Sequence, residues 1–271
     1  MPVVEQEASL RAAPTTDSAL LSVRGLCVRF GGITALDGVS FDVKQGQITG
    51  LIGPNGAGKT TLFNCLSRLY GYAEGNITFA GHPMEDVPRH RVAGLGIGRT
   101  FQNLALFASM TVLDNIKVGR HARTRKGFFA NALRLPGVGT EEDDSTRRAT
   151  ELVRFLGLEA VAQRRVADLP FGTRKRVELG RALASEPTLL LLDEPAAGLN
   201  HEEVRTLGSL IRAIRDQYQL TVLLVEHHMG LVMSVSDQVV ALNFGRKIAE
   251  GTPAEVRNHP DVIQAYLGAE S

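Results

Sequence analysis

The chain has 271 residues, 44% of them hydrophobic, with 30 basic against 29 acidic side chains and a net charge of +1. That apolar content suffices for a packed core and excludes a disordered chain, while the near balance of charge excludes the global basic field that captures nucleic acid. The longest unbroken apolar stretches, such as residues 189–192 and 221–225, fall far short of the roughly 20 residues of a membrane-spanning helix, and Glu5 and Glu7 stand where a secretory signal needs basic residues, so cytosolic residence is expected.

Residues 1–18 mix Ala, Thr, Pro and Glu without periodicity and read as a disordered extension outside the fold. Strand-like segments follow at 20–24, 27–30, 39–43 and 47–52, separated by the glycine turns Gly31-Gly32 and Gln45-Gly46. The last runs directly into Gly53-Pro54-Asn55-Gly56-Ala57-Gly58-Lys59-Thr60-Thr61, the full G-x-x-x-x-G-K-[ST] pattern of a phosphate-binding loop. Its glycines let consecutive backbone N–H groups turn around phosphate oxygens with no Cβ in the way, at the positive end of the following helix. Lys59 supplies a mobile charge for the β- and γ-phosphates, Thr60 a hydroxyl for Mg²⁺, and Thr61 further phosphate contact. A plain strand-to-helix turn would use the same glycines, but the strand before, the helix former at 62–66 after and the Lys-Thr pair agree on phosphate. Cys27 and Cys65, each flanked by apolar residues, are expected to fill core in a reducing compartment.

Residues 76–79 read as another strand, and from 111 to 158 the pattern is helical, opened by Val112, Leu113 and Ile116 and closed by Leu152, Val153, Phe155 and Leu156. Within it Lys117, Arg120, Arg123, Arg125, Lys126 and Arg134 are interleaved with Phe128, Phe129 and Leu133. A solvated basic face and a surface for anionic lipid headgroups or a membrane subunit both fit that run. Beyond 188 the α/β alternation returns: an apolar strand 188–192, a helix carrying Leu207, Leu210, Ile211 and Ile214, and a strand 221–225. A parallel sheet wrapped by helices and interrupted by a helical insertion fits this order.

A phosphate loop alone cannot hydrolyse a nucleotide, because Mg²⁺ needs a second anchor and the attacking water a base. Residues 189–192 form an apolar strand that delivers Asp193 and Glu194 at its C-terminal end, where open parallel sheets place ligands. Asp193 suits Mg²⁺ and Glu194 suits proton acceptance from water. A cap or turn would use such a pair too, but beside a phosphate loop the catalytic reading is preferred.

From Leu20 to Gly268 the chain resembles the ATP-binding-cassette (ABC) ATPases, whose motifs occur here in the family's order. The resemblance implies an α/β P-loop NTPase domain over 19–268, with a parallel-sheet core, an N-terminal antiparallel β subdomain and an α-helical subdomain inserted at about 103–172. It implies that Phe30, which alone would pass for a core aromatic, stacks on adenine; that Gln102 senses Mg²⁺ and γ-phosphate; that His227 is the switch histidine, with His228 filler; and that residues 196–200 cross between two cassettes. Asn200 with Glu203 also reads as a plain helix cap. The signature segment departs from Leu-Ser-Gly-Gly-Gln: this chain has Leu169-Pro170-Phe171-Gly172-Thr173. Gly172 remains to bind the partner's γ-phosphate in trans, whereas Pro170 offers neither hydroxyl nor N–H, so the trans contribution leans on Gly172 and the helix dipole.

Residues 196–200 and 226–229, the long basic insertion and the ending 251–268 look like the ATPase subunits of branched-chain amino-acid importers. That implies ATP and Mg²⁺ at the site and a second ABC ATPase subunit, identical or a paralogue. It also implies two transmembrane permease subunits, a periplasmic binding protein reached indirectly, and a peripheral place at the cytoplasmic face of the inner membrane. No nucleic acid is expected as partner. Urea or amide import, lipopolysaccharide export, a soluble ABC ATPase without membrane subunits and a regulatory nucleotide-binding module without turnover stay open at this point.

Overall fold

The computed structural model describes residues 19–101, 104–123 and 138–267. The expected extension 1–18, Gln102, the expected domain end Gly268, and Arg125, Lys126, Phe128, Phe129, Leu133 and Arg134 of the basic run lie outside the described residues. In chain order the elements are β1 (Ala19–Phe30), β2 (Ile33–Lys44), β3 (Ile48–Ile52), α1 (Lys59–Leu66), β4 (Glu74–Phe79), β5 (His82–Pro83), β6 (Ile97–Arg99), α2 (Val112–Val118), α3 (Val138–Phe155), α4 (Phe171–Ala184), β7 (Leu189–Asp193), α5 (His201–Tyr218), β8 (Thr221–Val225), α6 (Met229–Val235), β9 (Gln238–Asn243), β10 (Arg246–Gly251), α7 (Pro253–Arg257) and α8 (Pro260–Leu267). They group into two compact units, residues 19–89 with 210–267, and residues 90–209.

In the first unit β2, β1, β4 and β5 form an antiparallel sheet in that order. The segments 20–24 and 27–30, expected as two strands, are one. At Gly25, φ +56, the chain bulges between the Val23 and Leu26 pairings, and the Gly25 N–H donates to Ser40 Oγ at 2.7 Å. A bulge interrupts the apolar alternation without ending the strand. β2 likewise begins at Ile33 rather than 39, because the two-residue Gly31-Gly32 turn closes a hairpin with Phe30 opposite Ile33. In the same unit β3 pairs in parallel with both β8 and β9, and β10 returns antiparallel along β9. All residues of β3 and β8 are buried, as parallel strands covered on both faces require.

α6 lies so close on β3 that a Cβ at Gly50 would stand 2.5 Å from Val232 Cγ1 and 2.7 Å from Ser236 Oγ. Cys27 and Cys65 are buried free thiols, and burial pushes the Cys65 thiol up to about 11. α7 opens with a full capping box, Thr252 Oγ1 accepting from the Glu255 N–H and Glu255 Oε2 from the Thr252 N–H.

In the second unit β6 and β7 form a parallel pair, beside helices α2, α3 and α4 packed on one another. α3 turns Ala149, Leu152 and Val153 inward at helical spacing. Glycines set the helix contacts: a Cβ at Gly119 would collide with the Arg181 carbonyl, and one at Gly180 would stand 2.8 Å from Leu156 Cδ1 and 2.9 Å from Ile116 Cδ1. Arg120, expected on a basic face, is instead held inside the unit by Asp144 and Glu186, each at 2.7 Å. Among the described residues no helix is long and apolar enough to cross a membrane.

The contact of α6 on β3 predicts that Gly50→Ala lowers the unfolding free energy by about 1–3 kcal/mol, the usual range for overpacking. Gly32→Ala, where an added Cβ meets nothing within 4 Å, is expected to change it by less than about 0.5 kcal/mol. Urea denaturation of both variants measures the difference, and equal midpoints would contradict the packing described.

Candidate functional site

The phosphate-loop motif is framed from below at both ends. At Gly53, φ +152, a Cβ would run into the Leu242 carbonyl of β9 and stand 2.9 Å from Ala57 Cβ. At Gly58, φ +99, a Cβ would stand 2.6 Å from the Ala35 carbonyl oxygen and 2.7 Å from Leu36 Cδ2 of β2. The turn between β9 and β10 adds a bond from the Gly245 N–H to the Ala57 carbonyl, 3.1 Å. At Gly56, φ +79, nothing lies within 4 Å of a Cβ position, so glycine is needed there for the backbone angle while the loop crest stays open. Asn55 and Gly56 are exposed, and the Leu62 N–H donates to the Gly58 carbonyl at 2.9 Å to start α1.

Lys59 is buried, and its ammonium donates to the Gly53 carbonyl at 2.7 Å and the Pro54 carbonyl at 3.0 Å, so the cation is already folded back along the loop. Thr60 is exposed and Thr61 half-buried at the first turn of α1. The Gly53 N–H donates to the Tyr266 hydroxyl of α8 at 2.9 Å. Burial pushes the Tyr266 phenol up, and the Gly53 N–H pulls it back. No sequence signal pointed to Tyr266.

Phe30, read alone as core, is about half exposed and meets Tyr70 edge-on with ring centroids 5.3 Å apart. His227 is exposed directly beyond β8, next to the fully buried Glu226, whose carboxylate accepts the His228 N–H at 3.3 Å. Phe30, the 53–61 loop and His227 belong to the first unit; Asp193, Glu194 and Gly172 belong to the second.

In the second unit β7 carries Asp193 into burial at its C-terminal end, where Arg99 of β6 pairs with it at 2.8 Å. The backbone is tied at the same point: the Thr100 N–H donates to the Leu191 carbonyl at 2.9 Å, and Thr100 Oγ1 accepts the Asp193 N–H at 3.3 Å. The Arg99 guanidinium also lies over the Phe101 ring, 5.2 Å from its centroid. Glu194 follows in the left-handed region, φ +46, where a non-glycine residue costs about 1–3 kcal/mol and marks functional turns. Its neighbour in sequence is thus buried and ion-paired, while Glu194 itself is turned to a half-exposed position.

α4 begins at Pro170, which occupies the cap position at φ −55, ψ 153 with no side-chain cap. A Cβ at Gly172 would stand 2.8 Å from Glu203 Oε1, and one at Gly198 3.0 Å from the Phe171 ring. Asn200 does cap α5: its Oδ1 accepts from the Glu202 and Glu203 N–H groups at 3.0 Å, and Glu203 accepts the Asn200 N–H at 2.9 Å. Glu178 of α4, unmarked in the sequence, is buried and accepts the Phe101 N–H at 3.1 Å; burial pushes its carboxyl up, and the Phe101 N–H, Lys175 and Arg181 pull it back.

This donor set fits a nucleoside triphosphate with Mg²⁺. Two loop glycines leave no room for side chains, a lysine ammonium lies along the loop, and a buried carboxylate sits at a strand end. The sequence matches the family model of the ABC transporter over residues 36–197 and that of the branched-chain amino acid ATP-binding cassette transporter over residues 246–271. It is 43% identical over 249 residues to the high-affinity branched-chain amino acid transport ATP-binding protein LivG of Salmonella typhimurium, covering 92% of this chain and 98% of that one. It is 42% identical to BraF of Pseudomonas aeruginosa, which carries the same description, over equal shares. A solved nucleotide-free ATP-binding cassette from an ABC transporter superposes with a TM-score of 0.79 at 30% identity, covering 92% of this chain and 99% of that one. With the loop framed, the carboxylates at the end of β7 and nearly the full length matched, the chain belongs to the ABC transporter ATP-binding family, among its branched-chain amino-acid cassettes.

Proposed function

We propose that this chain is the ATP-hydrolysing subunit of an ABC importer of branched-chain amino acids. What carries the reading is the pairing of a complete phosphate loop with relatives that are branched-chain amino acid transport ATP-binding proteins at 42–43% identity over 92% of the chain. ATP is the substrate. The N–H groups of 53–58 and the Lys59 ammonium bind and orient its phosphates, Thr61 adds a phosphate contact, and Phe30 offers its exposed ring to adenine. Glu194 accepts a proton from water as the water oxygen attacks the γ-phosphorus and the bond to the ADP oxygen breaks. His227 and Gln102 orient the γ-phosphate and the water. Thr60, Asp193 and Gln102 would hold Mg²⁺. When bound, that ion neutralises phosphate charge.

In this reading the chain works with a second ABC ATPase subunit, to whose nucleotide it lends Gly172 in trans. It sits beneath two transmembrane permeases fed by a periplasmic binding protein, peripherally at the cytoplasmic face, with the helical subdomain of about 103–172 facing the permeases within a cassette of 19–268. Substrate amino acid never touches this chain; its sequence carries motor chemistry alone.

Separating binding from turnover tests the assignment. Lys59→Ala is expected to abolish measurable ATP binding in a titration. Glu194→Gln is expected to bind ATP as wild type while phosphate release falls by about 10²–10⁴, the range for loss of a general base; turnover at the wild-type rate would remove Glu194 from that role. Pro170→Ser adds both a cap and a hydroxyl at the start of α4. It is expected to raise melting temperature and to raise ATP turnover several-fold, and unchanged turnover would show that Gly172 and the helix end suffice.

A further inference from the structure

The ladder of β3 on β9 ends with Ile52 opposite Ala241, so the Gly53 N–H is the first backbone donor beyond the sheet. Gly53 is buried, and a buried N–H needs a partner. The Leu242 carbonyl presses on its Cα side, too close for any Cβ, and the Lys59 ammonium occupies its own carbonyl. The N–H is taken by the hydroxyl of Tyr266, which reaches it from α8 near the other end of the chain, 2.9 Å away. One peptide plane therefore has its donor fixed by Tyr266 and its acceptor fixed by the phosphate-binding lysine.

Tyr266 is itself held firmly. α8 packs beside β10 and α7 with Val262 buried, and the Thr252–Glu255 capping box fixes the start of α7 where β10 ends. The residues that match the branched-chain cassette model, 246–271, contain this whole connection from β10 to the hydroxyl.

We propose that Tyr266 is a positioning residue for the phosphate-binding loop, and that α8 is a buttress through which the C-terminal segment sets nucleotide affinity. The inference rests on reading residues 53–61 as the nucleotide site. The hydroxyl orients the Gly53 peptide, and the Gly53 carbonyl in turn places the Lys59 ammonium along the loop; Tyr266 meets no phosphate itself. Losing the bond leaves a buried N–H without its partner and frees the peptide to rotate, which weakens binding while leaving the carboxylates that run hydrolysis untouched.

The test compares full-length wild type, Tyr266→Phe and Val262→Ala by ADP titration, by steady-state ATP turnover and by hydrogen exchange at the Gly53 amide. Tyr266→Phe keeps the ring and is expected to weaken ADP binding roughly two- to tenfold, raise KM for ATP by a similar factor, leave kcat within about twofold, and speed Gly53 exchange. Val262→Ala loosens α8 but keeps the hydroxyl, and is expected to lower melting temperature with less loss of affinity. Wild-type affinity and exchange in Tyr266→Phe would overturn the proposal, as would equal affinity losses in the two variants. A wild-type chain that binds no nucleotide would remove the reading of the loop instead, and the exchange measurement separates the two failures.

Discussion

The peptide between Ile52 and Gly53 is the constraint on which the rest of the first unit depends. A phosphate loop must present its N–H groups to an anion, so the backbone beneath it has to approach its supports closely and find partners for every group that does not face the ligand. At Gly53 that approach leaves no space for a Cβ against Leu242, and at Gly58 none against Ala35 and Leu36. β9 therefore has to lie beside β3, and the β9–β10 turn beneath Ala57, for the loop to hold its shape. The parallel sheet is the means by which two glycines are pressed into place.

The same logic explains what could be read from sequence and what could not. The loop, Asp193 and Glu194 were legible because their chemistry demands particular residue types at fixed spacing beside an apolar strand. Strands β3, β7 and β8 were legible because burial on both faces leaves an unbroken apolar run. The bulge at Gly25 was misread as a strand end, since it inverts the alternation that marks a strand without breaking the pairing. β6, β9, β10, α7 and α8 are short or mixed in polarity and carry no period of their own. Tyr266, Arg99, Thr100 and Glu178 could not be found that way at all: each acts through a partner far away in sequence, such as Gly53 for Tyr266 or Phe101 for Glu178. A tyrosine in an ordinary helix has no local mark saying that its hydroxyl meets a glycine 213 residues earlier.

At the end of β7 two adjacent carboxylates are driven into different roles by backbone and burial alone. Asp193 is buried, with its charge met by Arg99 and its N–H held by Thr100. A buried carboxylate stripped of its guanidinium would cost about 3–5 kcal/mol, so Arg99 keeps Asp193 ionised in the fold. Glu194, one residue on, turns at φ +46 to a half-exposed position. The left-handed turn is what prevents both carboxylates from sharing one environment. A metal anchor needs a fixed charge and a base needs access to water, and a single strained residue separates the two.

The signature segment shows the same economy under a different restriction. Proline at position 170 cannot cap α4 with a hydroxyl, but its fixed φ of −55 already suits the extended cap position, so the first turn is set by ring geometry instead of by a side-chain bond. The helix-end N–H groups then remain without a side-chain cap from residue 170. Two tight contacts join this end of α4 to the loop that the family uses between cassettes: Phe171 against Gly198, and Gly172 against Glu203, the carboxylate that also accepts the Asn200 N–H. Because interiors packed at this density shift as bodies and not atom by atom, Gly172 cannot move without Glu203, nor Gly198 without Phe171. The segment offered to a partner's nucleotide and the loop that crosses toward that partner are therefore one rigid piece, and Pro170 removes a hydroxyl from it without loosening it.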